Sequence, residues 1–387
     1  MNYNFDHIVE RRGSSCCKWD SPCAKDLLPM WIADMDFEVA PFIKEALRRR
    51  VEHGVFGYEC IPEKYYQTII DWFLRRHDWR IDRNSMIVTI GVVPAISAIL
   101  QALTQPGDQV VVLTPIYNCF FSSIRNSKCE AVEVPLRYDP RGYEIDWTAL
   151  EAALSSNKAR ILLWCSPHNP ACRVWNRPEI QRMIKLCQRH GVRIVSDEIH
   201  CEFVHGLNLH FPTATFNDDV ITCVAPSKAF NIAGLQNAII VCNDAATRER
   251  IDRAININET CDVNPFGVEA VIAAYKYGDE WIDQLNEYIL ENFEHVNEAI
   301  SEALPAVHIT PLQGTYLAWL DCRAYGLTSE QLVEHIAKHG GVLLNAGTMY
   351  GKAGEGFVRM NLATQRARVE QGTQGIIKAL SMLEPQN

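Results

Sequence analysis

Hydrophobic positions in this chain follow two regimes. Between residues 86 and 242, short apolar runs recur with little polar alternation, at 86–90, 109–113, 131–135, 160–165, 193–196, 220–224 and 238–242. Near-continuous hydrophobicity of that length predicts strands buried on both faces of a mostly parallel sheet. The longer stretches between them, 94–103 and 178–190 among them, carry helical periodicity. Strand–helix alternation of this kind predicts an α/β fold with a seven-stranded, doubly wound sheet, whose ligands sit at the carboxyl ends of the strands.

Beyond residue 280 the pattern changes. A long helical stretch, 280–303, precedes strand candidates at 315–320, 342–344 and 357–361 and a closing helix at 366–382. These predict a smaller α+β domain. Residues 1–45 are loop-rich, with Pro22, Pro29 and Pro41, and are expected to lie against it as an arm. The expected division is a large domain of 46–280, and a small one of 281–387 with 1–45.

Composition narrows the function. The chain has 387 residues, 48% of them hydrophobic, enough for a large core in two lobes. Its net charge is −10 and its longest basic block is Arg48-Arg49-Arg50, which argues against a nucleic-acid surface. The opening residues lack the apolar segment of a signal peptide, and no apolar run approaches the ~20 residues of a membrane span. A soluble, cytoplasmic protein is expected. Several of the 14 cysteines, such as Cys165, Cys187, Cys223 and Cys242, fall inside apolar runs, and no C-x-x-C pair occurs. Free thiols in a reducing compartment are the expectation. His200, Cys201, Glu202, His205 and His210 offer metal-ligand types, but the set is not spaced i, i+4 on one helical face. No metal is expected.

Two charged residues end apolar runs. Lys228 lies in Ala225-Pro226-Ser227-Lys228-Ala229-Phe230-Asn231, just after 220–224, and Asp197 closes 193–196. Burial disfavours the charged amine, lowering its pKa and making it nucleophilic. A buried acid and a buried lysine at strand ends are the pair that pyridoxal-phosphate chemistry uses. At the end of the first run, 86–90, Gly91-Val92-Val93-Pro94 opens a helix with proline in its first turn. Exposed amides and the helix dipole there predict an anion site formed by Gly91, Val92 and Val93.

Taken together, the motifs resemble the class I/II aminotransferase superfamily of pyridoxal-phosphate (PLP) enzymes, fold type I. The shared segments are Pro167-His168-Asn169-Pro170, Asp197-Glu198-Ile199-His200, Ser227-Lys228-Ala229-Phe230-Asn231 and Phe357-Val358-Arg359-Met360-Asn361. Within it, Phe5-Asp6, Arg12, Lys18-Trp19-Asp20, Trp31-Ile32-Ala33-Asp34-Met35-Asp36-Phe37 and Phe56-Gly57-Tyr58 resemble the cystathionine β-lyase, or C–S lyase, branch. The likeness runs from Phe5 to Ala363, nearly the whole chain.

That resemblance implies roles. Lys228 forms the Schiff base with PLP and moves the Cα proton, and Asp197 pairs with the pyridinium nitrogen. At an effective dielectric near ~20, charges ~4 Å apart interact by about 4 kcal/mol, roughly three pKa units. Tyr117 stacks on the ring within the catalytic set; Asn169 and His200 face its phenolic oxygen. Ser227 joins Gly91, Val92 and Val93 at the phosphate, and Arg359, with Asn169, binds the substrate carboxylate. Tyr58 reaches the cofactor phosphate of a neighbouring subunit, implying a homodimer with shared sites. Three positions depart from the superfamily pattern: Gln236 replaces a phosphate-binding arginine, Ala225 a serine, and Cys172 a turn glycine. The implied reaction is α,β-elimination from a cystathionine- or cysteine-type amino acid to thiol, pyruvate and ammonia. Transamination is the chemically adjacent alternative.

Overall fold

The computed structural model describes residues 2–386. Seven strands form the large sheet: β1 (Met86–Thr89), β2 (Gln109–Thr114), β3 (Glu130–Pro135), β4 (Ala159–Cys165), β5 (Arg193–Asp197), β6 (Ile221–Val224) and β7 (Ala238–Val241). Their order is β1-β7-β6-β5-β4-β2-β3, parallel throughout except for β7, which runs antiparallel to both neighbours. Each begins and ends within one residue of its predicted run.

Alternate residues of the strands enter two cores, one on each face. Along β4, Leu162 and Trp164 join one cluster, while Ile161, Leu163 and Cys165 join the other. Two apolar faces explain why the runs carry no alternation. Helix Arg177–His190 shows how local chemistry sets a boundary. Asn176 and Glu179 close a capping box at its start, and Gly191 at φ +66° ends it.

The second sheet has four antiparallel strands, β8 (His308–Ile309), β9 (Leu317–Asp321), β10 (Asn345–Ala346) and β11 (Phe357–Asn361), in the order β8-β9-β11-β10. Helices Asp279–Ala303, Ser329–Gly340 and Arg366–Leu380 accompany it. One expectation needs correcting. Val342–Leu343 is not a strand of this sheet; it pairs in parallel with Leu28–Pro29 of the N-terminal arm. The arm thus adds its own two-stranded piece, and β10 takes the predicted place.

The two sheets meet at Gly314. A Cβ there would lie 2.8 Å from Pro167 Cβ and 3.0 Å from the Phe203 carbonyl oxygen. Only glycine permits that approach, which seats the start of β9 against the loop carrying Asn169. Among the described residues, no helix is long and apolar enough to cross a membrane.

Candidate active site

Strand register sets the floor of the site. Cys165, Asp197 and Cys223 lie side by side at the carboxyl ends of β4, β5 and β6. Asp197 is 4% exposed, and its Oδ1 accepts the Ile199 N–H at 3.1 Å. Its strand neighbours are thiols rather than cations. Burial therefore pushes its carboxyl up to about 7, with the nearby Glu198 adding and the Lys228 charge opposing.

Lys228 stands four residues beyond β6, its Nζ donating to the Ala33 carbonyl at 2.6 Å. Desolvation, with the Arg359 charge behind it, lowers the amine to about 8, so a neutral, nucleophilic fraction exists near physiological pH.

Both groups line one cavity of about 190 Å³. Asn169, His200, Tyr117 and Ser227 line it too, as do Gly91, Val92 and Val93 at the start of helix Val92–Leu103. No side chain caps that helix, which leaves its first amides and its dipole directed at the cavity end. Ser227 Oγ makes only a long 3.4 Å bond to the Asn237 carbonyl. His200 is buried, its Nδ1 has no partner, and burial beside Lys228 and Arg359 keeps the ring neutral. Burial likewise raises the Tyr117 hydroxyl far above its ordinary range.

Arg359 reaches the site from β11 of the second sheet. Its Nη1 donates to Asn169 Oδ1 at 3.1 Å, its Nη2 to the Trp31 carbonyl at 3.0 Å, and its guanidinium lies 4.7 Å from the Tyr350 ring centre. The side chain is buried, its Nε has no partner, and no carboxylate among the described residues pairs with it. A desolvated cation in that state calls for an anionic ligand.

Tyr58 is the predicted site residue that this arrangement does not bring in. It is 98% exposed, in the loop between helices Pro41–His53 and Glu63–His77. Gln236, also exposed, ends a short turn at φ +50°. Cys172 fits its glycine-like position: it is buried at φ +58°, and its thiol donates to the carbonyls of Pro170 (3.2 Å) and Leu317 (3.1 Å).

Sequence reasoning missed the main-chain acceptors. Residues 31–37 served only as a branch marker, yet Ala33 and Trp31 supply the carbonyls that hold Lys228 and Arg359. Tyr316, whose hydroxyl also donates to the Ala33 carbonyl at 2.9 Å, was missed as well. A main-chain oxygen carries no residue-type signal.

The metal-ligand types are engaged elsewhere. His205 bonds the Thr315 carbonyl, and His210 bonds Glu198. Ligand atoms of His77, Cys201 and Glu202 lie within 4.8 Å of one another, but Glu202 already accepts from Trp72 and His77 and faces the Arg76 cation. A larger open cleft of about 620 Å³, beside Tyr3, Phe37 and Trp281, holds charges that pair among themselves, as Lys44 with Glu38 and Arg48 with Glu45.

The small cavity fits PLP. A buried carboxyl with no ion-pair partner among the described residues can meet the ring nitrogen, uncapped amides can take the phosphate, and an amine of lowered pKa lines the same cavity.

Comparisons with known proteins agree. The family model described as "Aminotransferase class I and II" matches residues 25–376. The chain is 39% identical over 386 residues to cystathionine beta-lyase PatB of Bacillus subtilis, covering 98% of this chain and 100% of that one. It is 34% identical over 385 residues to protein MalY of Escherichia coli, covering 98% and 99%. The crystal structure of cystalysin from Treponema denticola, which contains pyridoxal 5′-phosphate, superimposes with a TM-score of 0.95 at 30% identity, covering 99% of this chain and all of the other. The chain belongs to the class I and II aminotransferase family.

Proposed function

We propose that the protein is a PLP-dependent carbon–sulfur β-lyase. With one water, it cleaves sulfur amino acids of the cystathionine and cysteine type to a thiol, pyruvate and ammonia. The observation that carries this reading is full-length likeness, N-terminal arm included, to the cystathionine β-lyase PatB, combined with a cavity holding Lys228, Asp197 and Asn169 beside Arg359.

When bound, PLP supplies an electron sink for the negative charge that develops at the substrate Cα. The residues of this chain do the rest. Asp197 pairs with the ring nitrogen and keeps its proton in place, which relieves the burial of its own carboxylate. Gly91, Val92, Val93 and Ser227 hold the phosphate. Tyr117, Asn169 and His200 line the same cavity; Tyr117 would pack on the bound ring, and Asn169 and His200 would face its phenolic oxygen. Arg359 takes the substrate carboxylate in the bidentate manner its fork allows, with Asn169 fixing the guanidinium plane. Lys228 Nζ then removes the Cα proton, and the C–S bond breaks with its electron pair leaving on sulfur.

The full assembly is a cytoplasmic homodimer with shared sites. Val55, Phe56 and Tyr58 stand exposed on one loop, which supports a covered face there, with Tyr58 reaching the partner's cofactor phosphate. Residues 46–280 act as the cofactor-binding lobe, and 281–387 with 1–45 as the lobe that brings Arg359.

Incubation with L-cystathionine and no added 2-oxo acid tests the reaction. Pyruvate and thiol released together are expected. Turnover only with 2-oxoglutarate, yielding glutamate, would instead identify an aminotransferase.

A further inference from the structure

Lys228 and Arg359 are both held by residues 31–37, a segment without helix or strand of its own. The Trp31 carbonyl accepts from Arg359 at 3.0 Å and from Asn345 at 2.8 Å; the Ala33 carbonyl accepts from Lys228 at 2.6 Å and from Tyr316 at 2.9 Å. Without a ladder or helix, the segment takes its position from individual hydrogen bonds. The Asp36 N–H donates to the Ala363 carbonyl at 3.0 Å, and Asn361 Nδ2 to the Ile32 and Asp34 carbonyls at 2.7 Å each. Gln365 Nε2 donates to the Asp36 carbonyl at 2.8 Å, and Asn231 Nδ2 to the Met35 and Phe37 carbonyls at 3.1 and 3.0 Å.

The segment also meets a charged cluster. Asp36, 1% exposed, accepts from Lys18 Nζ, Arg11 Nη1 and Trp19 Nε1, each at 2.8 Å. Asp34 pairs with Arg11 at 3.0 Å and Lys18 at 3.6 Å. The same two cations bind main-chain oxygens, Arg11 that of Met35 at 2.8 Å and Lys18 that of Asp34 at 3.3 Å. Two carboxylates and two cations thus clamp the segment at residues 34–36, one to three residues beyond Ala33 and three to five beyond Trp31. A buried ion cluster adds little net stability but imposes strict geometry.

We propose that Asp36 is a positioning residue: through Lys18 and Arg11 it fixes segment 31–37, and so holds the Lys228 amine and the Arg359 guanidinium in register. This rests on the lyase reading for its kinetic consequences only. The groups acting on Lys228 are Arg359, Asp34, Asp197 and Cys119. Asp36 acts on it indirectly, through the carbonyl at Ala33. A carbonyl acceptor favours the protonated nitrogen, so loosening the segment lowers the pH at which that nitrogen titrates.

The test compares parent and Asp36→Asn holoenzymes. Expected are a retained visible cofactor band whose pH titration moves about one unit lower, an acid limb of kcat moved the same way, and kcat/KM reduced on the order of 10-fold to 100-fold. Asp34→Asn is no substitute if that variant does not fold, because it removes a charge that acts on Lys228 directly; the second variant is a double one. The double variant Lys18→Met with Asp36→Leu removes the pair without stranding a charge; it should recover Tm but not the parental titration. A lower Tm with unchanged band titration and unchanged kcat limb would reduce Asp36 to a structural role and overturn the inference. A shifted band in a protein that releases no pyruvate would uphold it and reject the lyase reading.

Discussion

Arg359 Nη1 and Asn169 Oδ1 meet at 3.1 Å although 190 residues separate them in the chain. The contact ties β11 of the small sheet to the loop that follows β4 of the large one. The residue proposed to bind the substrate carboxylate and the one proposed to face the cofactor oxygen are thus joined directly by a hydrogen bond across the two sheets. Closing or loosening that junction changes both at once.

Arg359→Lys keeps the charge but loses the fork. KM for the amino-acid substrate should rise by about 10-fold to 100-fold, with a smaller change in kcat. Steady-state kinetics at saturating PLP check this, and an unchanged KM would remove Arg359 from substrate binding.

Cofactor removal exposes the cost of burying Asp197. Its folded carboxyl stands at about 7 against an ordinary 3.8, so the folded chain keeps a proton that the unfolded chain releases. Through this group, stability of the cofactor-free protein falls as pH rises from about 4 to about 7. Lys228 has the opposite sign and a different window, adding stability as pH rises from about 8 to 10.5. The Tm of cofactor-free Asp197→Asn should thus decline less than that of the parent between pH 5 and 7, and PLP should lift the parent most near neutrality. Parallel Tm curves for the two proteins would show that Asp197 is not desolvated.

Sharing of the site across a dimer predicts complementation. Tyr58→Ala and Lys228→Ala, each nearly inactive alone, should on co-expression form mixed dimers with one intact site, giving roughly a quarter of parental activity for random pairing. Activity no higher than that of the separate variants would place Tyr58 outside the partner's site.

Much of this was legible in the chain because buried parallel strands leave unbroken apolar runs. Asp197, Lys228 and Gly91 could be read as strand-end residues for that reason, and they line one cavity. Pairing of Val342–Leu343 with Leu28–Pro29 was not legible, since two-residue strands leave no periodicity and their partners lie more than 300 residues apart. Nor were the carbonyls of Trp31 and Ala33, whose role depends on backbone path rather than side-chain type. Cys172 read as a departure from a glycine, yet it takes the left-handed backbone position itself, its thiol donating to the Pro170 and Leu317 carbonyls. Tyr58 is exposed, and the role proposed for it requires a second copy of the chain.

The central claim concerns a single amine. Borohydride reduction of the holoenzyme, followed by peptide mass spectrometry, should find the phosphopyridoxyl group on the peptide containing Lys228 and on no other lysine. Label on a different lysine, or none on protein that carried the visible band, would contradict the account.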